Sequence, residues 1–410
     1  MSQKFSTKII ACSFARPDAY GAIGFPVYRN AAFEFADSES IAAAFQYRHD
    51  LHTYSRISNP TVSHLEAKIK AASGAEYVMA LASGMAAISD TFFTIACAGS
   101  NIVSSPHLFG NTFALFASTL PAFGVEVRFV NTDNPDEIAA AIDENTCAFY
   151  SELITNPHLE IADLPKISQI LKEKHVPMVI DSTVVPWCGY DARACGIDIE
   201  VISATKYISG GATSIGGAIV DYGTFDWKNN RKLQQIPKPK GMSRFAFKLK
   251  SEIARNTGAC MAPDTAFLQA LGMETLQLRY ERMSQTAYRL AEYISQHEKV
   301  AKVNYPELAG NPYREISDRM FVAHPGAMFT VSLENKEACY RFMDRLQIIR
   351  RATNLFDNKT LVIHPESTIY GTFSKENKAL TGIEPALLRF SAGLEDFEDL
   401  RDDIHQALNE

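Results

Sequence analysis

The chain has 410 residues, 46% of them hydrophobic, and a formal net charge of -7 at pH 7. That length calls for a larger and a smaller domain rather than one small core, and the negative balance gives a nucleic-acid partner no electrostatic support. Seven cysteines scattered without a close pair argue for reduced thiols and against a disulfide framework or a zinc site, and with no signal-peptide core and no bilayer-length apolar run the expected location is the cytoplasm.

Residues 1–60 are punctuated by Pro17, Gly21, Gly24, Pro26 and Asn30, which predicts an extended arm with one short helix near residues 40–46. An arm without its own core either packs on another subunit or frays. It ends in Tyr54-Ser55-Arg56-Ile57-Ser58-Asn59-Pro60-Thr61. Asn59 reads as the cap of a helix that starts at Pro60, shows Val62, Leu65, Ile69 and Ala72 along one stripe, and stops at Gly74. Tyr54 and Arg56 are left over, two long donors suited to gripping a phosphate.

A strand over 77–81 then runs through Ala82-Ser83-Gly84-Met85-Ala86-Ala87 into a helix. Free backbone N–H groups and the positive end of the helix dipole meet there, which suits an anion; a plain Ser83 cap with a packing glycine is the other reading. Strands over 101–104, 125–130, 148–153 and 176–181 alternate with helices over 112–120, 135–142 and 164–173, the pattern of a doubly wound parallel sheet.

Two of these strands end in polar residues, at Glu152 and at Asp181-Ser182-Thr183. A carboxylate at the end of a buried strand is costly unless paired, so Asp181 needs a cation or a hydrogen-bond donor. The next strand, 197–202, breaks into Ser203-Ala204-Thr205-Lys206 and then glycines. Ligands bind at strand carboxyl ends in such sheets, and a lysine partly withdrawn from water there can serve as a nucleophilic amine. Taken alone, the tetrapeptide favours reading Lys206 as an ordinary surface lysine on a loop. No histidine or second carboxylate is spaced with Asp181 for a metal.

A further strand covers 216–221, and residues 228–255 read as a basic, irregular loop, solvated or acting as a flap over substrate. One long helical region, 265–296, leads into a second α+β unit with strands over 327–333, 361–364 and 387–391 and a last helix over 397–408. The expected divisions are an arm over 1–60, a large cofactor domain over 61–256 and a C-terminal α+β domain over 257–410.

Together, Tyr54-Ser55-Arg56 with Asn59-Pro60-Thr61, residues 82–87, Glu152 with Asn156-Pro157, Asp181-Ser182-Thr183, Ser203-Ala204-Thr205-Lys206 and Leu388-Arg389-Phe390-Ser391-Ala392-Gly393 resemble the Cys/Met-metabolism family of pyridoxal phosphate enzymes. The resemblance runs in order along nearly the whole chain. It implies a fold-type I α/β enzyme, a homotetramer built from dimers with each site completed by its neighbour. Carried over, it makes Lys206 the cofactor-bonding lysine and Asp181 the partner of the pyridine nitrogen. Gly84, Met85, Ser203 and Thr205 would hold the phosphate, with Tyr54 and Arg56 reaching it from the other subunit. Asn156 would bond the phenolic oxygen, and Arg389 would clamp the substrate carboxylate.

The chain departs from the family's pattern at Phe109-Gly110-Asn111-Thr112, where a tyrosine usually stacks on the cofactor ring. Phe109 can stack but cannot transfer a proton, so that duty falls to Lys206, Tyr54, another group or water. Residues 119–129, 352–355 and 361–368 look most like the O-acetylhomoserine sulfhydrylase branch. The expected reaction is therefore γ-replacement to homocysteine, with sulfide or carrier-bound sulfur as donor. Alternatives are a methionine γ-lyase, a cystathionine γ-synthase and a non-catalytic binding protein. A nicotinamide dehydrogenase fails for want of a glycine-rich turn between a first strand and helix.

Overall fold

The computed structural model describes residues 3–14, 18–49 and 51–409; Pro17 lies outside them. Seven strands form the larger sheet: β1 (Tyr77–Leu81), β2 (Asn101–Ser104), β3 (Glu126–Phe129), β4 (Thr146–Glu152), β5 (Met178–Asp181), β6 (Ile199–Ile202) and β7 (Gly217–Asp221). Their order is β1-β7-β6-β5-β4-β2-β3. The run from β6 to β3 is parallel, whereas β7 is antiparallel to both β1 and β6. Alternate residues of the central strands enter different cores: Phe149 and Ile180 pack on one face, Ala148, Tyr150 and Val179 on the other. A sheet covered on both faces accounts for the continuous apolar runs in its strands.

The second sheet contains β8 (Lys302–Asn304), β9 (Met328–Ser332), β10 (Arg350–Arg351), β11 (Leu361–Ile363) and β12 (Leu387–Ser391), in the order β10-β11-β12-β9-β8. Its Phe329, Leu388 and Phe390 join the same core as Phe149 and Ile180, so one face of the large sheet is continuous with the smaller unit.

Helix Pro60–Ser73 starts where expected: Asn59 Oδ1 accepts from the Thr61 N–H at 2.9 Å, and Gly74, at φ 71°, closes it. Other elements differ from the sequence expectation. The arm has a second helix, Phe5–Ile10, with Ile9 buried against the chain's own core. The basic stretch 228–255 is half helical: after the Ser243 cap, Arg244–Lys248 and the π-turn Leu249–Ile253 bury Phe245, Ala246, Leu249 and Ile253. A three-to-four-residue apolar period ran beneath the basic charges.

The expected long helix is two, Pro263–Glu274 and Leu276–Ile294, broken at Thr275. Buried Arg279 stabilises the break, donating to the Gly272 carbonyl at 2.6 Å. Gly272 also lets the first helix approach the turn Tyr207–Ser209, because a Cβ there would lie 2.3 Å from the Ile208 carbonyl oxygen. That contact seats the loop carrying Lys206 on a rigid support.

Candidate active site

Lys206 stands at the carboxyl edge of the parallel strands, where β6 runs into the turn Tyr207–Ser209. Its Nζ donates to Asn354 Oδ1 at 2.6 Å. Burial, reinforced by the positive charge of Arg389, pushes the amine down to about 8, against the pull of Asp181 and Asp357. The residue that could have been a solvated surface lysine is thus a withdrawn amine with an appreciable neutral fraction near neutral pH.

Asp181, at the end of β5, accepts from the Thr183 N–H at 3.0 Å and the Thr183 hydroxyl at 2.6 Å, both on Oδ1. The Thr183 oxygen in turn accepts from the Ser203 N–H at 2.8 Å, tying the ends of β5 and β6 together. Glu152 lies opposite Asp181 in the β4/β5 register. It accepts from the Phe109 N–H at 2.6 Å and the Asn156 N–H at 2.9 Å. Burial and then the Asp181 charge push Glu152 up to about 8, and burial also raises Asp181. Two adjacent buried carboxyls do not both ionise readily, so near neutral pH the pair holds a proton.

Arg389 on β12 is only 2% exposed. Its Nη1 donates to Asn156 Oδ1 and its Nη2 to the Thr353 carbonyl, each at 3.1 Å, while Nε is buried without a partner. Burial pushes this guanidinium down to about 10. A buried cation with an unmatched donor is a site prepared for an anion.

At the helix Gly84–Ile95, Ser83 Oγ caps the Ala86 N–H at 3.0 Å, so the first-turn N–H groups of Gly84 and Met85 have no helical acceptor. The Ser83 cap is thus observed, and the first-turn N–H groups beside it are the ones that an anion at this helix start would need. Gly84 packs so closely on Ser203 that a Cβ would sit 2.8 Å from the serine Cβ, which brings the helix start against the Lys206 loop. Thr205 Oγ1 bonds the Gly216 carbonyl at 3.2 Å and accepts from the Gly216 N–H at 3.1 Å.

Lys206, Asp181, Asn156, Arg389, Ser203, Thr205 and the Gly84-Met85 turn therefore meet at one edge of the large sheet, with Phe109 joined to them through Glu152. Tyr54 and Arg56 do not join them. Tyr54 is 43% exposed, and Arg56 donates to the Arg255 carbonyl beside a cavity of about 1520 Å³ that lies under the arm rather than over Lys206.

Sequence reading missed Asn354, Thr353 and Tyr370, whose hydroxyl donates to the carbonyls of Leu108 at 3.0 Å and Asn156 at 3.2 Å. These contacts join residues 36 to 262 positions apart along the chain, with no local signature. Glu152 stood out at its strand end but was given no role, although the argument applied to Asp181 applies equally to it.

The Cys/Met metabolism PLP-dependent enzyme family model matches residues 6–409. The O-acetyl-L-homoserine sulfhydrylase 1 of Thermus thermophilus is 38% identical over 93% of this chain and 94% of its own. A putative O-acetylhomoserine (thiol)-lyase of Campylobacter jejuni, solved with a pyridoxyl-lysine monophosphate, superposes with a TM-score of 0.95 at 32% identity, covering all of both chains. An O-acetylhomoserine sulfhydrylase from the methionine biosynthetic pathway of Wolinella succinogenes is 44% identical, with a TM-score of 0.78 over 86% of this chain and 99% of that one.

Proposed function

The chain belongs to the Cys/Met metabolism PLP-dependent enzyme family and has its fold-type I architecture, and we propose that it catalyses γ-replacement, converting O-acetylhomoserine and a sulfur nucleophile to homocysteine and acetate. One observation carries this reading: half-buried Lys206 and Asp181 stand with buried Arg389 in a chain that matches O-acetylhomoserine sulfhydrylases along its length. The residues present fit pyridoxal phosphate. Among the described groups are an amine with a lowered pKa, a strand-end carboxylate, a partnerless buried guanidinium nitrogen and a helix start that only a glycine allows so close to Ser203.

When bound, the cofactor draws electrons from the substrate's α-carbon, which acidifies the protons at Cα and Cβ and lets the γ-substituent leave. Lys206 would hold the cofactor at its aldehyde carbon, and its Nζ as a free amine would take the substrate's α-proton; an amine near 8 suits that task better than one at its ordinary value. Asp181 would hold a proton at the pyridine nitrogen, leaving the pair's own proton on Glu152. The N–H groups of Gly84 and Met85 with the Ser203 and Thr205 hydroxyls would hold the phosphate. Asn156, whose Oδ1 already takes Arg389, would offer its amide nitrogen to the phenolic oxygen. Arg389 would grip the substrate carboxylate.

Phe109 would cover the ring and move no proton. Acetate departs without a strong acid, unlike a thiolate, so this site favours an acyl ester over a thioether. We read residues 1–60 as an arm that brings Tyr54 and Arg56 to the neighbouring subunit of a cytoplasmic homotetramer; the exposed Ile10, Leu271 and Leu278 support burial against other copies. The test compares kcat/KM for O-acetylhomoserine plus sulfide with that for elimination from methionine. Equal efficiencies would replace the proposal with a γ-lyase.

A further inference from the structure

The strap over residues 353–358 touches both the proposed reacting amine and the proposed carboxylate clamp. Asn354 accepts from Lys206, and the Thr353 carbonyl accepts from Arg389. Two residues on, Phe356 adopts φ 55° in the left-handed region, an uncommon conformation for a bulky side chain. Its ring is fully buried and stacked on Tyr207, with centroids 4.3 Å apart and planes within 7°. Its N–H donates to Ser391 Oγ at 2.7 Å. Tyr207 is itself pinned: its hydroxyl accepts from the Ala327 N–H at 3.0 Å, and its ring meets Tyr280 edge-on at 5.5 Å. Asn358 closes the strap by donating to the Gly210 carbonyl at 3.1 Å.

Glycine would take this φ freely, so a phenylalanine here is explained by what its ring packs against. Strained backbone persists where surrounding contacts over-determine it, and such positions cluster at functional sites. Tyr207 is the residue after Lys206. The stack therefore joins the strap to the very turn that bears the amine.

We propose that Phe356 is a positioning residue: clamped on Tyr207 in the left-handed conformation, it fixes Asn354 at the Lys206 amine and Thr353 at Arg389, so one contact sets both groups in register. This deepens the function proposed above and rests on it for the roles of Lys206 and Arg389. Asn354 Oδ1 accepts from the amine and stabilises its charged form, so slackening the strap lowers the pH at which the proton is lost.

The test uses the full chain stripped of cofactor and follows the pH dependence of Lys206 labelling by trinitrobenzenesulfonate, located by peptide mass spectrometry. Only the neutral amine reacts. Asn354→Ala, Phe356→Gly and Tyr207→Leu should each lower the midpoint by about one pH unit, the scale of one lost hydrogen bond to a charged group. Tyr207→Phe, which keeps the ring, should hold the wild-type midpoint, and Asn354→Ala added to Phe356→Gly should shift it no further. If Phe356→Gly does not fold, the Tyr207 pair decides the matter. A midpoint unmoved by Asn354→Ala, or moved by it but not by loss of the stack, would overturn the proposal. The labelling does not depend on which reaction the enzyme catalyses, so its failure is distinct from failure of the homocysteine assay.

Discussion

Arg389→Lys is the substitution whose effect follows most directly from the geometry. The guanidinium is buried, holds Asn156 Oδ1 and the Thr353 carbonyl through Nη1 and Nη2, and retains a buried Nε. Lysine keeps the charge and loses the planar fork, so a substrate carboxylate meets one donor in place of a bidentate pair. One hydrogen bond to a charged group contributes about 1.5–3 kcal/mol, which corresponds to a roughly 10- to 150-fold loss in kcat/KM. The carboxylate is gripped alike in ground state and transition state, so the loss should fall on KM, with kcat changed by no more than about threefold. Steady-state kinetics with O-acetylhomoserine, on protein whose cofactor content is checked by visible absorbance, reads this directly. An unchanged KM in folded, loaded enzyme would show that Arg389 does not bind the substrate carboxylate.

If the arm completes its neighbour's site, mixing Arg56→Ala with Lys206→Ala protein should restore activity as subunits exchange, because some hybrids regain one intact site; no recovery after confirmed exchange would mean the arm serves its own subunit. Phe109→Tyr should raise elimination relative to replacement, since a phenol can protonate a leaving thiolate, and an unchanged product ratio would dismiss that role. Burial and the Lys68 charge, opposed by Glu274, hold His64 down at about 4 where it packs between Phe14 and Phe25. Between that value and the ordinary one near 6.5 the unfolded chain binds more protons, so stability falls as pH drops through this window. His64→Phe should accordingly lose less Tm than wild type between about pH 7.5 and about pH 5, and an equal loss would assign the acid sensitivity to other groups.

The large sheet was legible because its central strands are buried on both faces and read as apolar runs, and because Asn59-Pro60 and Ser83-Gly84 punctuate helix starts with recognisable chemistry. The break at Thr275 was not, since it depends on Arg279 reaching back to the Gly272 carbonyl and on the helix pressing against Ile208. The helix after Ser243 was masked because its apolar positions Phe245, Leu249 and Ile253 lie among basic residues. In the site, residues at strand ends announced themselves: a lysine or an aspartate after a buried apolar run is conspicuous. Asn354 and Tyr370 did not, because a loop asparagine and one tyrosine among sixteen acquire meaning only when the second sheet folds its strap across the first.

The account turns on Lys206 as the amine that bonds the cofactor. Borohydride reduction of the yellow, loaded protein followed by peptide mapping should place the pyridoxyl phosphate label on Lys206 alone, and Lys206→Ala protein should take up no label while still forming the same oligomer. A reducible adduct of the same kind in Lys206→Ala protein, or label on another lysine of the wild type, would contradict it.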